Sequence, residues 1–267
     1  MTKGLRIWVQ GIGLLGPGLT SWSSAHAVLS GGQSIAPAPT VLPVPVRLPP
    51  AERRRAGAAV KLALAVADEA VAQAGLDPAL LATVFCSSSG EGVNCHALCE
   101  TLATSAPMVS PTRFTNSVHN AAAGCWHIAV ASRATSTSVC AFDASFGAGL
   151  IEAASSVHVA RQPLLLVASD SPYPEPLHAA RPLPDHFGAA FVLTPEQTPH
   201  SLAELAISFD SSGSAVSTCT DVALESLRTA IPAARALPLL EALARPRAAR
   251  RIVLDYLPNL HVRVELT

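Results

Sequence analysis

The chain has 267 residues and a mass of 27.5 kDa, with 49% hydrophobic and only 14% charged side chains. That balance excludes a disordered chain and supports one sizeable packed core or two small ones. Eighteen basic against nineteen acidic residues leave a formal charge of −1, and aromatics make up 4%. Neither a basic footprint nor a stacking platform points to nucleic acid.

Lys3 and Arg6 ahead of an apolar stretch, with Ala25-His26-Ala27 beyond it, imitate an export signal. Gln10, Gly11, Gly13, Gly16, Pro17 and Gly18 interrupt that stretch. A strand over residues 6–11, a glycine turn and a helix over 21–29 are expected instead. No uninterrupted apolar window of about 18 residues occurs, so no membrane span is expected. Residues 31–50 hold six prolines and read as an extended connection. A long alanine-rich helix over 52–74 follows, closed by Gly75. A strand over 82–87 leads into Ser87-Ser88-Ser89-Gly90-Glu91-Gly92 and a helix over 94–104.

Residues 111–115 read as a loop and 116–133 as a helix with small residues on one side. A strand over 136–142, a helix over 145–161 and an apolar strand over 163–169 come next. Leu164-Leu165-Leu166-Val167 suits a strand covered on both faces. A proline-rich loop spans 172–184, and strands are expected over 187–194 and 202–209. The tail reads as helices over 222–231 and 234–244 and a hairpin, 251–257 with 260–266. The alternation of strands and helices argues for a layered α/β fold. The organisation expected is a main domain over 1–212 and a tail over 213–267 packed on it, not independent.

Cysteines 86, 95, 99, 125, 140 and 219 are too sparse for a disulfide framework. Reduced thiols fit a cytoplasmic protein. Cys95, His96 and Cys99 lack the second ligand pair of a zinc site, so no metal is expected. Gly11-Ile12-Gly13-Leu14-Leu15-Gly16 fits GxGxxG, but the position about 20 residues on has no acidic residue. No cofactor is implied.

Several segments in order resemble the N-terminal half of a β-ketoacyl synthase, of the thiolase-like fold. They are Ile7-Trp8-Val9-Gln10-Gly11-Ile12-Gly13, Pro50-Ala51-Glu52-Arg53-Arg54-Arg55 ahead of the alanine-rich helix, and Ser110-Pro111 with Phe114. Asn120-Ala121-Ala122-Ala123-Gly124, Val139-Cys140-Ala141-Phe142-Asp143-Ala144-Ser145, Ser169-Asp170 and 187–193 complete the likeness, which covers roughly 5–210.

The stretch ending at Ser145 is similar to the family's nucleophile elbow, Thr-Ala-Cys-x-Ser, and sets Asp143 on the position of the nucleophilic Cys. A carboxylate would have to carry the acyl chain as a mixed anhydride, well uphill of a thioester, so no catalytic residue is assigned. Asp143 is expected to cap the helix behind it. The chain also stops short of the second half that supplies the family's two histidines. His178 and His186 match no family motif and are expected to be exposed.

The resemblance therefore implies a chain-length-factor type subunit. It would pair with an active ketosynthase in fatty acid, polyketide or aryl polyene synthesis, and meet acyl carrier protein through that complex. Interface residues carried over are Asn116, Asn120, Ala123, Gly124, Ser138, Cys140 and Phe142. Glu91, Met108 and Phe114 are candidates for gating the partner's pocket. Two alternatives stand beside this reading. One is a separate acyltransferase using Cys140, Cys125 or a serine. The other is a homodimeric structural or carrier-binding module.

Overall fold

Strands buried on both faces must sit between two helical layers, and the two most apolar runs of this chain do so. The computed structural model describes residues 4–245 and 250–267. The strands are β1 Leu5–Leu15, β2 Ala82–Cys86, β3 Ser136–Val139, β4 Leu164–Asp170, β5 Phe187–Thr194, β6 Ala203–Asp210, β7 Arg250–Leu257 and β8 Leu260–Leu266. They form one sheet in the order β3-β2-β4-β5-β1-β6-β8-β7. β2 runs parallel to β3 and β4, and every other pair is antiparallel.

The helices are α1 Trp22–Leu29, α2 Pro50–Arg55, α3 Ala58–Ala74, α4 Gly92–Leu102, α5 Pro111–Thr115, α6 Ala121–Ala129, α7 Ser145–Ala160, α8 Leu177–Ala180, α9 Val222–Ala230 and α10 Leu237–Ala244. Alternate side chains of each central strand enter different cores. Leu164, Leu166, Phe187 and Phe191 pack with α1, α7 and α10, whereas Leu165, Val167, Ala190 and Val192 pack with α3 and α6. The tail shares the first core, because Leu224, Leu237, Leu240, Val262 and Val264 join Ile7 and Phe191 there.

The glycine turn comes later than expected: β1 continues through Gly11 and Gly13 to Leu15, with a register shift between Val9 and Gly11, and the chain turns at Gly16–Leu19 instead. The glycines serve a close approach. A Cβ on Gly11 would lie 2.1 Å from the Ala70 carbonyl oxygen, and one on Gly13 would lie 1.9 Å from that of Val66. β6 pairs with β1 only over Leu5–Val9, so β1 amides beyond it need other acceptors. α3 supplies them. The Ile12 N–H donates to Gln73 Oε1 at 2.7 Å and the Leu14 N–H to Glu69 Oε2 at 2.9 Å.

Other boundaries move for local reasons. The helix expected over 52–74 is two helices broken at Ala56-Gly57, with Gly75 in the left-handed region at φ 67° closing the second. The loop expected at 111–115 is the short helix α5, capped by the Ser110 hydroxyl. The helix expected over 116–133 shrinks to α6, because Ala131 turns left-handed at φ 53°. The strand expected to reach 142 stops at Val139 and gives way to a 3-10 turn over Phe142–Ala144.

Candidate functional site

The site lies where β3, an edge strand of the sheet, turns into α7. The bend falls on Phe142, whose φ of 51° is costly for a bulky residue. Ser145, fully buried, stitches the bend: its hydroxyl accepts the Ala141 N–H at 3.0 Å and donates to the Phe142 carbonyl at 2.7 Å. Gly147 lets α7 sit close, since a Cβ there would lie 2.3 Å from the Asp255 carbonyl oxygen.

Asp143 does not cap α7. The cap position is Ala144 and carries no side-chain bond. Its carboxylate faces two guanidinium groups instead. Arg181 donates to Oδ1 at 2.5 Å, and an Arg235 nitrogen lies 3.4 Å from Oδ2. Arg235 also pairs with Asp255 at 2.6 Å, and Arg228 lies 3.7 Å from the same Asp255 oxygen. Arg228, nearly buried, is held by Glu225 at 2.6 Å. The elbow is thus one end of an alternating charge ladder that runs into the tail.

A second layer holds Arg181. It donates to the Tyr173 hydroxyl at 3.0 Å, and that hydroxyl lies 3.2 Å from Ser88 Oγ. Asp170, at the end of β4 and fully buried, accepts from Ser87 Oγ, Ser88 Oγ, the Ser88 N–H and the Ala233 N–H at 2.7–3.0 Å. Burial pushes its carboxyl above the usual range, and these donors pull it back.

The open side of β3 faces α6 across a groove of about 580 Å³. Asn120, Ala123, Gly124, Ser138 and Cys140 line it together, with His119, His127 and Ser136. Five of the seven interface candidates therefore meet in one place. Asn116 ends α5 outside the groove, and Phe142 stands at the far end of the strand. Ala123 sits on the inner side of α6, buried against the core, and forms part of the groove floor.

Residues 22–247 match the sequence model described as "Beta-ketoacyl synthase, N-terminal domain". The chain belongs to the β-ketoacyl synthase N-terminal domain family. No curated protein matches it in sequence. Among solved structures it is similar to a chain of the complex between the ketosynthase ApeO and its chain length factor ApeC from Xenorhabdus doucetiae. That match has 21% identity, covers 98% of this chain and 99% of that one, and has a TM-score of 0.72. It is also similar to a chain of the ishigamide ketosynthase/chain length factor, at 15% identity, 98% and 99% coverage and a TM-score of 0.71. A β-ketoacyl synthase from Burkholderia phymatum STM815 aligns at 17% identity over 89% of this chain and 70% of that one, with a TM-score of 0.60. These likenesses establish the thiolase-like fold.

Against that synthase fold, the gate candidates separate. Met108 and Phe114 are exposed, at 88% and 64%. Glu91 is a correction: it points inward, 4% exposed, and stands over Gly57 at the start of α3. A Cβ on Gly57 would lie 2.7 Å from Glu91 Oε1, so the glycine leaves room for this carboxylate. The positive end of α3 suits the anion, while burial still pushes its carboxyl up.

His178 and His186 are also corrected, being half-buried. His186 Nδ1 lies 2.9 Å from Ser171 Oγ, and burial pushes this imidazole below its usual range. Burial pushes Cys125 up to about 11 and Cys219 up to about 12, and raises Cys86 as well. Cys140 is exposed, and its thiol donates to the Ser88 carbonyl at 3.4 Å. His127 does not turn towards Cys125 but bonds Thr83 Oγ1 at 3.0 Å.

Among the described residues no group of three His, Cys, Asp or Glu side chains could hold a metal ion. No helix among them is long and apolar enough to cross a membrane. Tyr173, Arg181, Arg235 and Asp255 escaped sequence reasoning. They lie 30 to 112 positions from Asp143 along the chain and share no local spacing with it.

Proposed function

We propose that this chain is a non-catalytic ketosynthase-like subunit of the chain-length-factor kind. It pairs with an active ketosynthase through β3 and α6, completes that partner's acyl pocket in fatty acid, polyketide or aryl polyene synthesis, and meets acyl carrier protein through the complex. The observation that carries the reading is Asp143, held between Arg181 and Arg235 at the head of α7 beside an unpaired edge strand. A carboxylate bound by two guanidinium groups is a poor nucleophile, and neither it nor Phe142 offers a thiol. The small, exposed residues Ser136, Ser138 and Gly124 suit strand addition and close helix approach across an interface. Cys125, one thiol such a separate acyltransferase would use, is buried with its pKa pushed up, which speaks against that role for it.

Gly124→Leu tests the pairing. A Cβ there would meet nothing within 4 Å in this chain, and leaving glycine gains up to about 1 kcal/mol of helix propensity. The variant should melt at or above the parent temperature yet fail to co-purify with a ketosynthase from the same source. Undiminished co-purification would place the partner on another surface.

A further inference from the structure

Phe142 combines two features that fold stability does not ask for. Its backbone is left-handed at φ 51°, and the residue is 60% exposed. Strain and a solvent-facing aromatic ring persist together only where the surroundings impose them. Here the imposing group is Arg181. Its guanidinium carbon lies 3.7 Å from the centroid of the Phe142 ring, within cation–π range. The same guanidinium is fixed from behind by Asp143 and by the Tyr173 hydroxyl. Tyr173 is buried and leans on Ser88, and Ser88 on Asp170. The clamp is therefore anchored in the core, and the ring is its outer element. Exposure alternates along the strand and its extension, so Ser136, Ser138, Cys140 and Phe142 take the more open positions.

We propose that Arg181 is a positioning residue for the partner-facing surface: it holds the Phe142 ring outward at the end of β3, where the ring is buried against the ketosynthase subunit. This rests on the pairing argued above. Asp143 then serves to aim Arg181, which gives the elbow carboxylate a task that involves no acyl transfer.

The test is a double-mutant cycle on the dissociation constant of the complex, read by titrating the full chain into a ketosynthase from the same source. Arg181→Met and Phe142→Ala should each weaken binding by at least tenfold. The double variant should be no weaker than Phe142→Ala alone, since the two residues act as one unit. Arg181→Lys keeps a positive charge beside Asp143 but lacks the flat guanidinium, and should restore the parent melting temperature without restoring affinity. A merely structural Arg181 would be rescued in both. Parent-like binding by Arg181→Met, or fold-changes that multiply in the double variant, would overturn the proposal and leave the pairing intact. A parent chain that binds no ketosynthase would overturn both.

Discussion

Replacing Gly13 by alanine should destabilise the chain by about 3 kcal/mol or more, the upper range for overpacking a core. Local propensity predicts the opposite sign, because glycine inside a strand costs about 0.5–1 kcal/mol relative to alanine. The local effect loses because of where the new methyl would go. It would sit 1.9 Å from the Val66 carbonyl oxygen, a backbone atom of α3 that no rotamer change can remove. α3 would have to lift from β1, and with it the bonds from Ile12 to Gln73 and from Leu14 to Glu69. The buried alanines Ala63, Ala67, Ala70 and Ala74 would lose their close packing as well. The urea midpoint should fall sharply with an unchanged slope. Gly124→Ala, where space is open, should hold or raise it. Equal midpoints for parent and Gly13→Ala would show that the helix does not rest on the strand as described.

Asp170→Ala should cost about 3–5 kcal/mol. The carboxylate accepts four hydrogen bonds at the junction of β4, the Ser87-Ser88 loop and the turn Pro232–Ala236. Alanine would leave the Ser88 and Ala233 amides buried without an acceptor, at about 1–3 kcal/mol each. Part of that loss is offset, because a buried carboxylate carries a desolvation cost that alanine lacks. The change should also loosen the anchor of Arg181 through Ser88 and Tyr173. Amide exchange should therefore speed up first at Ser88, Ala233 and the residues after Val139, ahead of global unfolding. Uniform loss of protection across the sheet would contradict a local tie.

Much of this is legible in the sequence alone. The strand over 187–194 is found with those bounds, because a two-sided apolar run between turn residues has one good solution. The helix from Ser145 and the terminal hairpin are likewise found. The misses share a cause. Gly11 and Gly13 look like a turn when read against their neighbours, yet their reason is α3, more than 50 residues away. Gly57 leaves room for Glu91, which stands over it from the head of another helix. Asp143 has every local mark of a helix cap, and Arg181 and Arg235 claim it from distant parts of the chain. Spacing reports what one element asks of its residues, and it is silent where a second element decides.

The most direct test of the central claim is native mass spectrometry of the full chain, alone and co-expressed with ketosynthases from the same source. The account predicts a one-to-one complex with an active ketosynthase and no comparably stable species of the chain by itself. A well-behaved homodimer that ignores every ketosynthase would contradict it and make the open edge of β3 a self-pairing surface.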